Sequence, residues 1–116
     1  MLLLIHGKNV AITAPLRTHV ERKLWFALDR VEHRIRSIRV RFDDINGPKG
    51  GVDKRCTIHV RGERGWSARV EQTAPDTLAA LSAAVERVER MVARQFARRR
   101  DRELAGRREL AAASNS

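Results

Sequence analysis

The chain has 116 residues, with 24 Lys plus Arg against 14 Asp plus Glu and a formal net charge of +10. That length suits one domain with one modest core, the lone Cys56 excludes an internal disulfide, and the run Leu2-Leu3-Leu4-Ile5 is too short for a signal-peptide core or a membrane span. A pI near 11.4 points to a polyanionic partner, most often nucleic acid, and a basic chain with a single thiol fits the reducing cytoplasm.

Leu2 to His6 is an uninterrupted apolar run ended by Gly7, which predicts a first strand buried on both faces. Thr13-Ala14-Pro15 follows, and the same triplet returns as Thr73-Ala74-Pro75. At both places Thr caps free backbone N–H groups and Pro suits the first helical turn, with Asp76 completing a capping box at the second. In the first helix Leu16, Val20, Leu24, Ala27 and Val31 share a face, with Lys23 and Arg30 on its border. Trp25 and Phe26 fall outside that stripe, so either the register shifts locally or two aromatics are partly exposed.

Strict alternation then appears three times, in Ile38, Val40 and Phe42, in Cys56, Ile58 and Val60, and in Trp66, Ala68 and Val70. Polar residues between them predict half-buried antiparallel strands, joined at Asn46 to Gly51 and at Gly62 to Gly65. Asp43 and Asp44 close a strand next to a turn, where Asp is ordinary turn chemistry. Gly47-Pro48-Lys49-Gly50 and Gly62-Glu63-Arg64-Gly65 match the Gly-x-x-Gly of KH domains, but both stand between strands and read as hairpin loops.

In the last long segment Leu78, Leu81, Val85, Val88, Val92 and Phe96 alternate with Arg87, Arg90, Arg94 and Arg98. On one helix the two sets point roughly 150° apart, so a buried stripe holds a guanidinium row towards solvent. The helix is expected to fray before Gly106. A folded domain over 1–104 and a disordered tail over 105–116 complete the reading. The fold class is α+β, a single β-α-β-β-β-α domain whose four-stranded sheet carries two helices on one face, as in double-stranded RNA-binding domains.

His6, His19, His33, His59 and Cys56 lack metal-ligand spacing, and no nucleophile and base are set up together. The expectation is a non-enzymatic protein without metal or cofactor. Its RNA-binding residues are Lys23, Arg30, Arg87, Arg90, Arg94 and Arg98, with secondary RNA contacts at Arg39, Arg41 and Lys49.

Three stretches carry a family resemblance: His6-Gly7-Lys8-Asn9-Val10-Ala11-Ile12-Thr13 running into Leu16-Arg17 and Val20, then Cys56-Thr57-Ile58-His59-Val60, then Asp76-Thr77-Leu78-Ala79-Ala80-Leu81 leading to Val85-Glu86-Arg87-Val88-Glu89-Arg90. Together they resemble the hibernation promoting factor and ribosome-associated inhibitor family, also called sigma-54 modulation proteins, over residues 2 to about 100. The resemblance implies a short-form factor that binds 16S-type rRNA of the small ribosomal subunit in the channel used by messenger and transfer RNA. It implies inhibition of translation under nutrient stress, a monomer off the ribosome, and no membrane or small-molecule partner. Its basic second-helix positions fall on Arg87, Arg90 and Arg94, and that of the first helix on Lys23. Two alternatives are a module for double-stranded or structured RNA, and a protein-binding regulator, such as a modulator of a polymerase sigma factor, acting through Trp25 and Phe26.

Overall fold

The alternating segments form an antiparallel meander of β2 (Ile35–Asp44), β3 (Lys54–Gly62) and β4 (Ser67–Ala74). This architecture is that of a computed structural model, which describes the backbone of residues 2–45 and 53–114 and side chains through Arg98, with Ala105 and Gly106. Register places Val40 opposite Ile58 and Ile58 opposite Val70, so one face of the meander is a continuous apolar layer.

β1 (Leu2–Lys8) joins β2 in parallel, Leu2 beside Ser37 and Lys8 beside Asp43, giving the order β1-β2-β3-β4. Parallel neighbours require a crossover, and α1 (Ala14–Leu28) supplies it. β1 departs from the expected strand buried on both faces: Leu3 and Ile5 pack on the core, while Leu2 is 60% and Leu4 45% exposed. The reason is that both helices lie on one side of the sheet, so the outward half of an edge strand meets solvent whatever its composition.

The Gly7-Lys8-Asn9 sequence owes its character to backbone geometry. Asn9 takes a left-handed φ of 59°, and a Cβ on Gly7 would meet the Val10 carbonyl oxygen and the Ile12 side chain. The chain there folds back over its own strand before α1 begins.

The two Thr-Ala-Pro triplets do different work. Thr13 caps α1 as expected, its Oγ1 accepting from the Leu16 N–H at 3.3 Å with Pro in the first turn. Thr73 and Ala74 instead end β4, and α2 (Thr77–Ser114) is capped by Asp76, whose Oδ1 accepts from the Ala79 N–H at 2.8 Å. Pro75 explains the shift, since it disfavours helical backbone at Ala74 and moves the cap one residue past itself.

α2 buries Ala80, Leu81, Ala84, Val85, Val88 and Val92 against the sheet, where α1 adds Val20, Leu24 and Leu28. Each large apolar side chain so buried contributes about 1.5–3 kcal/mol. The helix continues through Gly106 to Ser114, in place of the fray expected before Gly106. One internal Gly costs only about 1 kcal/mol in a helix, and the Ala, Leu, Glu and Arg residues around it are strong helix formers. At 38 residues α2 is about 57 Å long, and the longest dimension of the molecule is 70 Å.

Candidate nucleic-acid interface

Burial of the α2 stripe fixes the rotation of the helix, which leaves Arg87, Arg90, Arg94 and Arg98 exposed along its far side. Among the described residues, none of the four guanidinium groups has a carboxylate within ion-pair distance. The row therefore presents guanidinium groups free of ion pairs, with Glu86 and Glu89 bordering it at Arg90, in the planar form that grips phosphate with paired hydrogen bonds.

Lys23 and Arg30 are placed differently. Lys23 is half-buried in a cleft of about 430 Å³ between the helices, which it shares with Glu86 and Glu89 of α2. Those two acids stand between it and the arginine row. Arg30 is exposed, but it sits on a 3-10 turn over Asp29–Arg34 that follows α1. The structure thus joins four of the six expected RNA-binding residues on one helix face and sets the other two apart.

The uncovered face of the sheet forms a second cationic surface, divided into two parts. In one, Asp43 is buried between two arginines, its carboxylate 3.1 Å from Arg41 Nε and 3.4 Å from Arg55 Nε, and Arg55 also reaches Glu71 at 3.2 Å. Lys54, which strand alternation turns to the opposite face, contacts Asp53 at 3.2 Å and Asp44 at 3.3 Å. The hydrogen bond to Asp53 raises the Lys54 ammonium above its ordinary value, against partial desolvation, and Asp44 adds to the rise. Asp43 and Asp44 close β2 as expected, but with cationic partners in addition to their place beside a turn.

In the other part Arg39, His59 and Arg69 are direct neighbours across β2, β3 and β4, and Arg61 lies two residues along β3. No carboxylate pairs with these arginines among the described residues. Desolvation lowers the His59 pKa below its ordinary value, and Arg61, Arg69 and Arg39 lower it further. Of the expected secondary contacts, Arg39 thus lies in the uncompensated part, Arg41 is tied to Asp43, and Lys49 falls outside the described residues.

Trp25 is 52% and Phe26 90% exposed, which settles the choice left by their position in favour of exposure. Both line an apolar groove of about 570 Å³ with Leu3 and Leu24. Trp66 is buried as its alternation suggests, with Phe96 packed edge-on at 5.1 Å and the Arg34 guanidinium 5.2 Å over the Phe96 ring. Neither this contact nor the reach of Arg55 to Asp43 is visible from local sequence, since both join residues distant in the chain.

Cys56 is fully buried, and burial pushes its thiol pKa up to about 12. Among the described residues no three His, Cys, Asp or Glu side chains gather as a metal-ligand set, and no helix is long and apolar enough to cross a membrane.

The connectivity and helix-backed mixed sheet define a single-domain α+β protein of β-α-β-β-β-α type. Its sequence carries the particular assignment: over residues 3–100 it matches the family described as sigma 54 modulation protein / S30EA ribosomal protein, and the chain belongs to that family. Among solved structures it is similar to the Protein Y N-terminal domain of Thermus thermophilus, at 32% identity and a TM-score of 0.68, over 81% of this chain and 98% of that one. A ribosomal subunit interface protein from Coxiella burnetii shares the fold at 21% identity and a TM-score of 0.69, over 84% of this chain and 99% of the other. No curated protein matches the sequence.

Proposed function

We propose that the protein is a ribosome hibernation factor that binds the rRNA of the small ribosomal subunit in the channel used by messenger and transfer RNA, and so inhibits translation. It acts by occupying that channel, without catalysis, as a cytoplasmic protein that is monomeric off the ribosome. The observation that carries the reading is the row Arg87, Arg90, Arg94 and Arg98, exposed and without carboxylate partners among the described residues, in a chain whose family is described as ribosomal. Such a row holds phosphate through charge and shape, so affinity falls steeply with salt and depends little on base sequence. Arg30 and Lys23 contribute at the margins, Lys23 least because Glu86 and Glu89 share its cleft.

Cosedimentation with purified small subunits, at low and moderate salt, tests this reading. Saturable binding near one copy per subunit, lost in an Arg87→Glu/Arg90→Glu/Arg94→Glu variant, is expected. Non-saturating binding that the variant retains would refute it.

A second reading, a regulator that binds another protein through Trp25 and Phe26, is favoured by one observation, the exposed apolar groove those residues line. Under that reading, substitution of the two aromatics abolishes function and salt has little effect.

A further inference from the structure

Two things about the uncovered sheet face bear on what it binds. Arg39 and Arg69 flank His59 in a single row across the strands, with Arg61 two residues along β3, so three guanidinium groups of like charge gather on one part of the face. The acids that would relieve this repulsion are on the same face but are engaged elsewhere: Asp43 takes Arg41 and Arg55, and Glu71 takes Arg55. Charge on this face is therefore segregated, and the unrelieved part is one a polyanion would neutralise.

The face is also shaped at that end. A cleft of about 500 Å³ opens beside the row, lined by Arg36, Ser37, His59, Arg61 and Ser67 among others. Neighbouring strands are about 4.8 Å apart, so the row from Arg39 to Arg69 spans about 10 Å at the backbone, and the arginine side chains reach further. That width suits a phosphate backbone lying across the strands, with several phosphates held at once.

We propose that the open face of the sheet is a second RNA-binding surface, in which Arg39, Arg61, Arg69 and His59 hold the phosphate backbone of an RNA segment other than the one held by α2. Because the helices cover one side of the sheet and the row occupies the other, one phosphodiester segment cannot lie on both at close range. The protein then joins two RNA segments through a single domain. The inference rests on the proposed function only in assigning the first segment to α2.

The test uses the full chain, an immobilised 20-base-pair RNA duplex and a second, fluorescent duplex in solution. Wild-type protein held on the first duplex is expected to capture the second. An Arg39→Gln/Arg61→Gln/Arg69→Gln variant, whose changes are all at exposed positions, is expected to bind the immobilised duplex but capture none. The salt slope of its overall RNA binding should fall by roughly 0.7–0.9 for each phosphate that the variant no longer neutralises. Undiminished capture by this variant, or no capture by wild type, overturns the proposal; the first result would also show that any bridging comes from protein dimers joined through other surfaces. Thermal melting of the variant confirms that it is folded. An Arg87→Gln/Arg90→Gln/Arg94→Gln variant reports on the α2 reading separately, since wild-type binding there refutes α2 while leaving the sheet-face result to stand by itself.

Discussion

The indole of Trp66 lies directly over Gly62, so close that a Cβ at that position would overlap its Cε2, Cζ2 and Nε1 atoms. The contact closes the β3–β4 hairpin, where the Gly62 N–H also donates to the Trp66 carbonyl at 2.8 Å. Gly62→Ala must displace the indole and disturb its contact with Phe96, and is expected to destabilise the protein by about 1–3 kcal/mol. Denaturant titration measures it.

The same indole carries a buried Nε1–H with no acceptor among the described residues. An unsatisfied buried donor costs about 1–3 kcal/mol, which offsets part of what the ring gains by packing. Trp66→Phe should therefore leave stability within about 1 kcal/mol of wild type, whereas Trp66→Ala should lose about 3–5 kcal/mol. A large loss in the Phe variant would mean that Nε1 has a partner in solution.

Within the interhelical cleft, the charge of Lys23 is opposed by Glu86 and Glu89. Lys23→Ala is thus expected to weaken binding to small subunits less than Arg94→Ala does, and Glu89→Gln to strengthen it. Titration at one fixed salt concentration orders the three.

For His59 the pH dependence has a definite sign. Its pKa in the folded protein lies below the ordinary value of 6.5, so the unfolded chain binds the proton more readily. The stability tied to the neutral ring is present above 6.5 and is lost as pH falls through that value towards the lowered one. Melting temperatures between pH 7.5 and 5 should fall less steeply in His59→Gln than in wild type. A bound phosphate opposes the three arginines and reverses the effect, so RNA should protect wild type more at pH 5.5 than at 7.5.

Cys56, with its thiol pKa at about 12 and no exposure, should resist alkylation at pH 8 in the native state and react at the ordinary rate in denaturant. Fast labelling of the native protein would show local opening of the core around β3.

Much of the fold was legible because burial on one face of a sheet imposes period two, and β2, β3 and β4 display it. β1 was misjudged for a physical reason: an apolar run does not reveal whether its second face is covered, and here Leu2 and Leu4 are exposed. Within the candidate site, the Arg87 to Arg98 row was legible because its residues are local on one helix. The pairing of Asp43 with Arg55 across β2 and β3, and the placing of Lys23 among Glu86 and Glu89, depend on how separate elements meet, which periodicity does not encode.

The parallel pairing of β1 with β2 also has a bearing on how the chain is made. Leu2 to Lys8 leaves a translating ribosome ahead of its partners, Ser37 to Asp43, each of which is synthesised 35 residues later. At about 5–20 residues per second, the nascent apolar strand waits a few seconds without a neighbour. The β2–β3–β4 meander, by contrast, needs only consecutive hairpins. Slow codons or a bound chaperone would therefore matter most between the codons of β1 and those of β2, while the first strand is still unpaired.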